Sequence, residues 1–310
     1  MKRKLIIAIC GLLATTSFIG CNKKTPVNNT ATSGQAVSDS SKTSLKSKEE
    51  QKEILNNFDK LTKENSNEQD IINYVDHNIE GLSKENASIL MLGLETFKNG
   101  HLTQVYDNWA KNNIDEKIRK EFQYDFTIDK IKDIKDKELK QYLESFVNKG
   151  YSILMTEGMY SPMQDYKFFN KYSKYLTDDI KNYIDILSTE YDSPAILDAN
   201  LNISWDELYK RAENCELFLN TYKDSKARVT IDNLYNSYIS AYLLGITYDP
   251  QSNKLFDEVK ESYLKAAESN SDTKISNIVK EYLKILEKNN YKITEESNKF
   301  IENAINDLKK

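Results

Sequence analysis

Residues 205–222 read WDELYKRAENCELFLNTY. Trp205, Leu208, Ala212, Cys215, Leu219 and Tyr222 recur at steps of three and four, which places them on one stripe of an amphipathic helix. Ser204 stands just before the stripe and Glu207 three residues later, the spacing of a capping box, so the helix start is marked. The same period runs outward through 50–64, 68–80, 84–98, 136–158, 165–174, 178–190, 228–244, 257–268, 274–288 and 295–308, many of these bounded by Ser, Thr, Asp, Asn or Gly. Strand-like alternation and hairpin turn pairs are few, and the predicted fold class is all-α.

An internal echo suggests how the helices are arranged. Phe168-Phe169-Asn170-Lys171-Tyr172 and Phe218-Leu219-Asn220-Thr221-Tyr222 share F-x-N-x-Y fifty positions apart. Leu264–Leu286 also lies over Leu219–Tyr242, with Tyr282 on Tyr238 and Leu283 on Ile239. Periods of this length arise from repeated helical hairpins. The stretch FLNTYKDSKARVTIDNLYNSYISAYLLG, residues 218–245, resembles the hairpins of tetratricopeptide-like lipoproteins, in which one helix ends near Tyr-Pro-x-Ser and its partner starts just after. Lys223 takes the place of the usual Pro, and the Trp-Leu-Gly-Tyr-Ala spacing of a standard repeat is missing. The resemblance implies an α-solenoid-like stack of helical hairpins and identifies no partner.

At the N-terminus, Lys2, Arg3 and Lys4 precede an apolar run from Leu5 to Ile19 that closes in small residues before Cys21. This is the pattern of a secretion signal, and the run is shorter than the ~20 residues a permanent span requires. The residues before Cys21 resemble the lipobox of bacterial lipoproteins, with Phe18 where an aliphatic residue is usual. That resemblance implies cleavage before Cys21, acylation of its sulfur and attachment to membrane lipid, two acyl signals being enough for stable anchoring. The expected location is the extracytoplasmic face of the cell membrane. Heavy use of Lys, Asn, Ile and Tyr points to a low-GC Gram-positive source.

Composition divides the chain into a signal (1–20), a disordered Ser/Thr/Asn/Lys tether carrying the lipidated cysteine (21–47) and a helical body (48–310), with a subdivision expected near 125–135. Removing Lys2, Arg3 and Lys4 takes the formal charge from −5 to −8; residues 22–48 carry +4, so residues 49–310 carry −12. A basic tether is attracted to anionic headgroups. An acidic body is a poor ligand for nucleic acid, and that partner class is excluded. With Cys10 removed and Cys21 acylated, Cys215 is the one remaining thiol and no intrachain disulfide forms.

Several residues suggest chemistry. Glu144-Ser145, Gly158-Met159 and Met163-Gln164 resemble the Glu-Ser and Gly-Leu-Met-Gln motifs of lytic transglycosylases, which implies a general acid at Glu144. No helix-breaking Asn-Pro follows, and the motifs lie too far apart. Asp198-x-Asn200-x-Asn202 begins like a calcium loop but has Ile203 at the glycine position and Tyr209 at the bidentate acid, so an Asx-rich turn is the simpler reading. His77 and His101 fit no metal spacing, Cys215 belongs to an apolar stripe, and no phosphate loop, dinucleotide fingerprint or serine elbow is present. No metal or cofactor is implied. Tyr160, Tyr166, Tyr172 and Tyr175 gather near the breakers Gly158 and Pro162, where an aromatic groove for glycan or peptide would form; with 20 tyrosines in the chain, the competing expectation is that they fill helix faces. The resulting expectation is a non-enzymatic binding or scaffolding lipoprotein with an unidentified protein or cell-wall partner; the alternative is a cell-wall glycosidase using Glu144.

Overall fold

Ser47 opens the first helix, α1 (Lys48–Lys63), with a complete capping box: its Oγ accepts from the Glu50 amide, and the Glu50 carboxylate accepts from the Ser47 amide. A computed structural model describes residues 45–64, 67–269 and 271–308, all within one unit, Thr43–Lys310. The expected signal, Cys21 and all but the last residues of the tether lie outside the described residues. Among those described, no helix is long and apolar enough to cross a membrane.

After α2 (Glu68–Asn78) the chain forms α3 (Lys84–Lys111), a rod of about 42 Å at 1.5 Å per residue. Its first half contributes Leu90, Met91 and Leu94 to the larger hydrophobic cluster, and its second half contributes Val105 and Trp109 to a smaller one. The smaller cluster is completed by α4 (Ile114–Phe122), a 3-10 turn at Ile128–Asp133, α5 (Lys137–Asn148) and the antiparallel strands β1 (Tyr151–Thr156) and β2 (Met159–Gln164). Residues 125–135 therefore sit inside this cluster. The chain returns to the larger cluster through a 3-10 segment (Tyr166–Tyr175) and α6 (Asp178–Asp192).

The C-terminal half is a run of helical hairpins. The short strands β3 (Ile196–Leu197) and β4 (Asn200–Leu201) lead into α7 (Trp205–Thr221) and α8 (Arg228–Leu244); β5 (Tyr248–Asp249) and β6 (Lys254–Leu255) lead into α9 (Asp257–Glu268), α10 (Lys274–Lys288) and α11 (Glu295–Leu308). α7 packs against α8 and α9, α9 against α10, and α11 closes on α10 and α8. The matched pairs Tyr238/Ile239 and Tyr282/Leu283 are all buried on the second helix of their hairpins. The fold is all-α, and the three strand pairs among the described residues are minor hairpins within it.

Three expectations are corrected. The helix expected over 136–158 stops at Asn148 because Gly150, at φ +80°, closes it with its amide donating to the Val147 carbonyl. A Cβ at Gly150 would also come within 2.3 Å of the Phe168 ring. The chain then doubles back in a two-residue turn with Glu157 and Gly158 both at positive φ, the requirement of a type I′ hairpin. Second, residues 166–175 form a 3-10 helix, so the F-x-N-x-Y echo falls in unlike structures. Third, Ser204 caps α7 by accepting from the Glu207 amide, but the Glu207 carboxylate binds Arg211 instead of closing a capping box.

Candidate functional site

The expected aromatic corner is divided between the two clusters. Tyr160, Tyr166 and Tyr172 are buried and Tyr175 is half-buried. The Tyr160 hydroxyl accepts from the Phe126 amide and its carbonyl accepts from Trp109 Nε1; Tyr166 donates to Glu95, and Tyr172 donates to Asp76 at 2.7 Å. With their hydroxyls engaged internally, these three present no face to a ligand. Glu144 is exposed on α5, and Asp198 and Ala199, both at positive φ, form the two-residue turn between β3 and β4. Asn200 donates to the Asp198 carbonyl and Asn202 to that of Pro194, so these side chains stabilise a hairpin. His77 is exposed and His101 half-buried, stacked on Phe97. Cys215 is fully buried; burial, with the nearby Glu190 charge adding to it, pushes its thiol up to about 12, far from the thiolate a nucleophile needs.

Two buried charges on α3 attract notice as chemistry and are explained as structure. Lys98 donates to Glu68 at 2.9 Å and to the Lys149 carbonyl at 2.6 Å, and its ammonium lies 3.7 Å from the centre of the Tyr151 ring. Burial lowers it to about 8, against the pull of Glu68, yet it is fully enclosed. Glu95 accepts from Tyr166 at 2.8 Å and Tyr183 at 2.5 Å on the same oxygen. Burial raises its carboxyl above the usual range, opposed by these two tyrosine bonds.

The raised Glu95 carboxyl has a testable sign. The fold takes up this proton at a higher pH than the unfolded chain, so the contribution to stability is fully present below the ordinary carboxylate value of about 4.3 and is lost as pH rises through the folded value. Gln at 95 keeps an oxygen able to accept both tyrosines and never ionises. Glu95→Gln is expected to be at least as stable as the parent at about pH 7.5, with the advantage shrinking towards about pH 4.5. Urea unfolding at several pH values measures this; an advantage that is constant with pH would remove the assignment.

Open surface with matched polar and apolar groups occurs between α6 and α7. Asn182, Asp185, Ile186 and Thr189 form one wall, and Glu207, Lys210, Arg211, Asn214, Leu217, Phe218 and Thr221 the other, around a cleft of about 450 Å³. Each set advances by three or four residues, so each is a single face of its helix. Leu217 is 50% exposed, whereas Arg211, on the same face, is buried. Its Nε donates to Glu207 at 2.9 Å, and its Nη1 donates to Glu190 at 3.1 Å and to the Ser193 carbonyl at 2.7 Å. Tyr238, also lining the cleft, donates to Glu190 at 2.7 Å. Nη2 of Arg211 makes no hydrogen bond among the described residues, and the side chain keeps 8% of its surface open. A fixed guanidinium with a free donor pair, beside Asn182, Asn214 and an exposed leucine, can hold a carbonyl oxygen while the leucine covers an apolar side chain.

Sequence reading passed over this face of α7 because its members are mainly polar and it borders the apolar stripe that defines the helix. The available signal was the repetition of a three-and-four spacing at 207, 210, 211, 214, 217, 218 and 221, carrying Leu217 and Phe218 among charges. No family model, curated protein or solved structure matches the chain.

Proposed function

We propose that this chain is a lipid-anchored extracytoplasmic protein that acts by binding a segment of an envelope partner in the α6–α7 cleft, with no reaction catalysed there. The cleft carries the reading: a buried Arg211 held on three sides with Nη2 free, flanked by exposed Leu217. Its volume is within the ~300–1,000 Å³ of ordinary ligand sites. The lipobox-like residues ending at Cys21 and the +4 charge of residues 22–48 support placement at an anionic membrane surface.

The experiment has two arms in cells. Metabolic labelling with a fatty-acid analogue is expected to mark the full chain and to be lost in Cys21→Ala; retained label sinks the anchor. A photo-crosslinking residue at position 217 is expected to give a discrete adduct, and the same residue at exposed position 144 is expected to give none. Equal adducts from both positions, or none from 217, would refute the cleft.

A further inference from the structure

We propose that a second groove, at the start of α7, is a docking site for a protein segment bearing an apolar side chain between lysine or arginine residues. It encloses about 610 Å³ and shares no lining residue with the α6–α7 cleft, so it stands independently of the function proposed above. Leu201 and Ile203 approach from the β4 side, Trp205 opens α7, and Ala241 and Ile246 come from the end of α8. Ile246 is 73% exposed and Ile196, at the rim, 44%. Side chains of this size left open on a groove are the part of a surface that association covers.

The floor is built. The Trp205 ring lies 6.2 Å from that of buried Tyr242. Gly245 keeps the chain close beneath it: a Cβ there would come within 2.3 Å of the Ala241 carbonyl oxygen and 3.7 Å of the Trp205 ring. One wall is acidic. Glu258 and Glu261, three apart on α9, line the groove and make no hydrogen bond or close ion pair among the described residues, although the Lys265 ammonium also feels the Glu261 charge. Asp206 faces it too but is engaged by Lys265 at 2.7 Å.

Three carboxylates against one ammonium, around an apolar floor, complement a segment that presents apolar and cationic groups together. The same carboxylates repel an anionic lipid surface, which would otherwise suit exposed Ile246. The structure thus favours a basic, apolar protein segment as the occupant.

The test uses the full chain and the capped peptide Lys-Leu-Lys-Leu-Lys, with Glu-Leu-Glu-Leu-Glu as the charge control. Calorimetry is expected to show binding of the lysine peptide that weakens with salt, and binding of the glutamate peptide weaker by at least about tenfold. Ile246→Asp and the double variant Glu258→Lys/Glu261→Lys should each weaken the lysine peptide by about tenfold or more; all three positions are at the surface, and unchanged circular dichroism verifies the fold. Equal binding of both peptides, no binding of the lysine peptide, or affinity unaltered by these changes would each overturn the proposal. Phosphatidylglycerol vesicles that retain the parent chain and release Ile246→Asp would overturn it in favour of a lipid surface.

Discussion

Replacing Lys98 by methionine is expected to destabilise the fold by about 3–5 kcal/mol, the range for removing one partner of a buried charge pair. The ammonium is fully enclosed, and its loss leaves Glu68, itself buried at the first position of α2, with the Tyr151 hydroxyl at 2.6 Å as its remaining side-chain donor. It also strips the Lys149 carbonyl of its donor at the end of α5. Because α2 belongs to the larger cluster while α5 and β1 build the smaller one, the substitution acts where the two meet. Amides of residues 137–164 should exchange faster than those of α7 and α8. Adding Glu68→Gln removes the stranded charge and should recover part of the loss, so the two changes will not add. Urea unfolding of the single and double variants measures both effects; a loss under about 1 kcal/mol for Lys98→Met would show that the pair is dispensable.

Glu216→Ala is expected to cost about 3–5 kcal/mol, because one buried carboxylate serves three donors and bonds to charged groups are each worth ~1.5–3 kcal/mol before relaxation. Glu216 lies on α7, but it accepts from the amides of Lys274 and Ile275 at the start of α10, the latter at 3.1 Å, and from the Tyr235 hydroxyl on α8 at 2.7 Å. It therefore acts as a helix cap supplied by another hairpin, completing what Thr273 begins by accepting from the Ser276 amide. The cost should appear as local loosening of α9, α10 and α11, seen by limited proteolysis after residue 268 before global unfolding. Glu216→Gln, which keeps one accepting oxygen, should lose less. Proteolysis spread evenly over the chain would contradict the assignment.

The all-α class was legible in residues 205–222 because burying every third or fourth side chain is a local property of one helix, and Ser204 marked its start in the same few residues. Gly150 was in plain view, but the helical period continues across it and the helix expected over 136–158 ran through the stop it makes. The strands it releases were not legible, since Glu157-Gly158 is a weaker type I′ signal than Asn-Gly and residues 151–156 also fit a helical period. The Tyr-rich corner left both a groove and filled helix faces open because its members are close in sequence; the β1–β2 return and the 3-10 segment send them to different clusters. The lipid-anchor reading rests on residues 1–48, the basic and apolar run before Cys21 and the basic stretch after it, and owes nothing to the folded body.

What the sequence determined by itself was the class and most helix positions; the address at the membrane is a proposal drawn from it. The tertiary structure decided the rest, for a physical reason that the buried charges make plain. Glu95, Lys98 and Glu216 look in sequence like solvated residues of polar helix faces, since an isolated charge is not buried without partners. Their partners lie 19 to 88 positions away, brought within 3.1 Å only when helices pack. The α6–α7 cleft has the same origin: two helical faces of ordinary surface composition become a groove, and Arg211 a fixed donor within it, only because Glu190 and the Ser193 carbonyl arrive from another element.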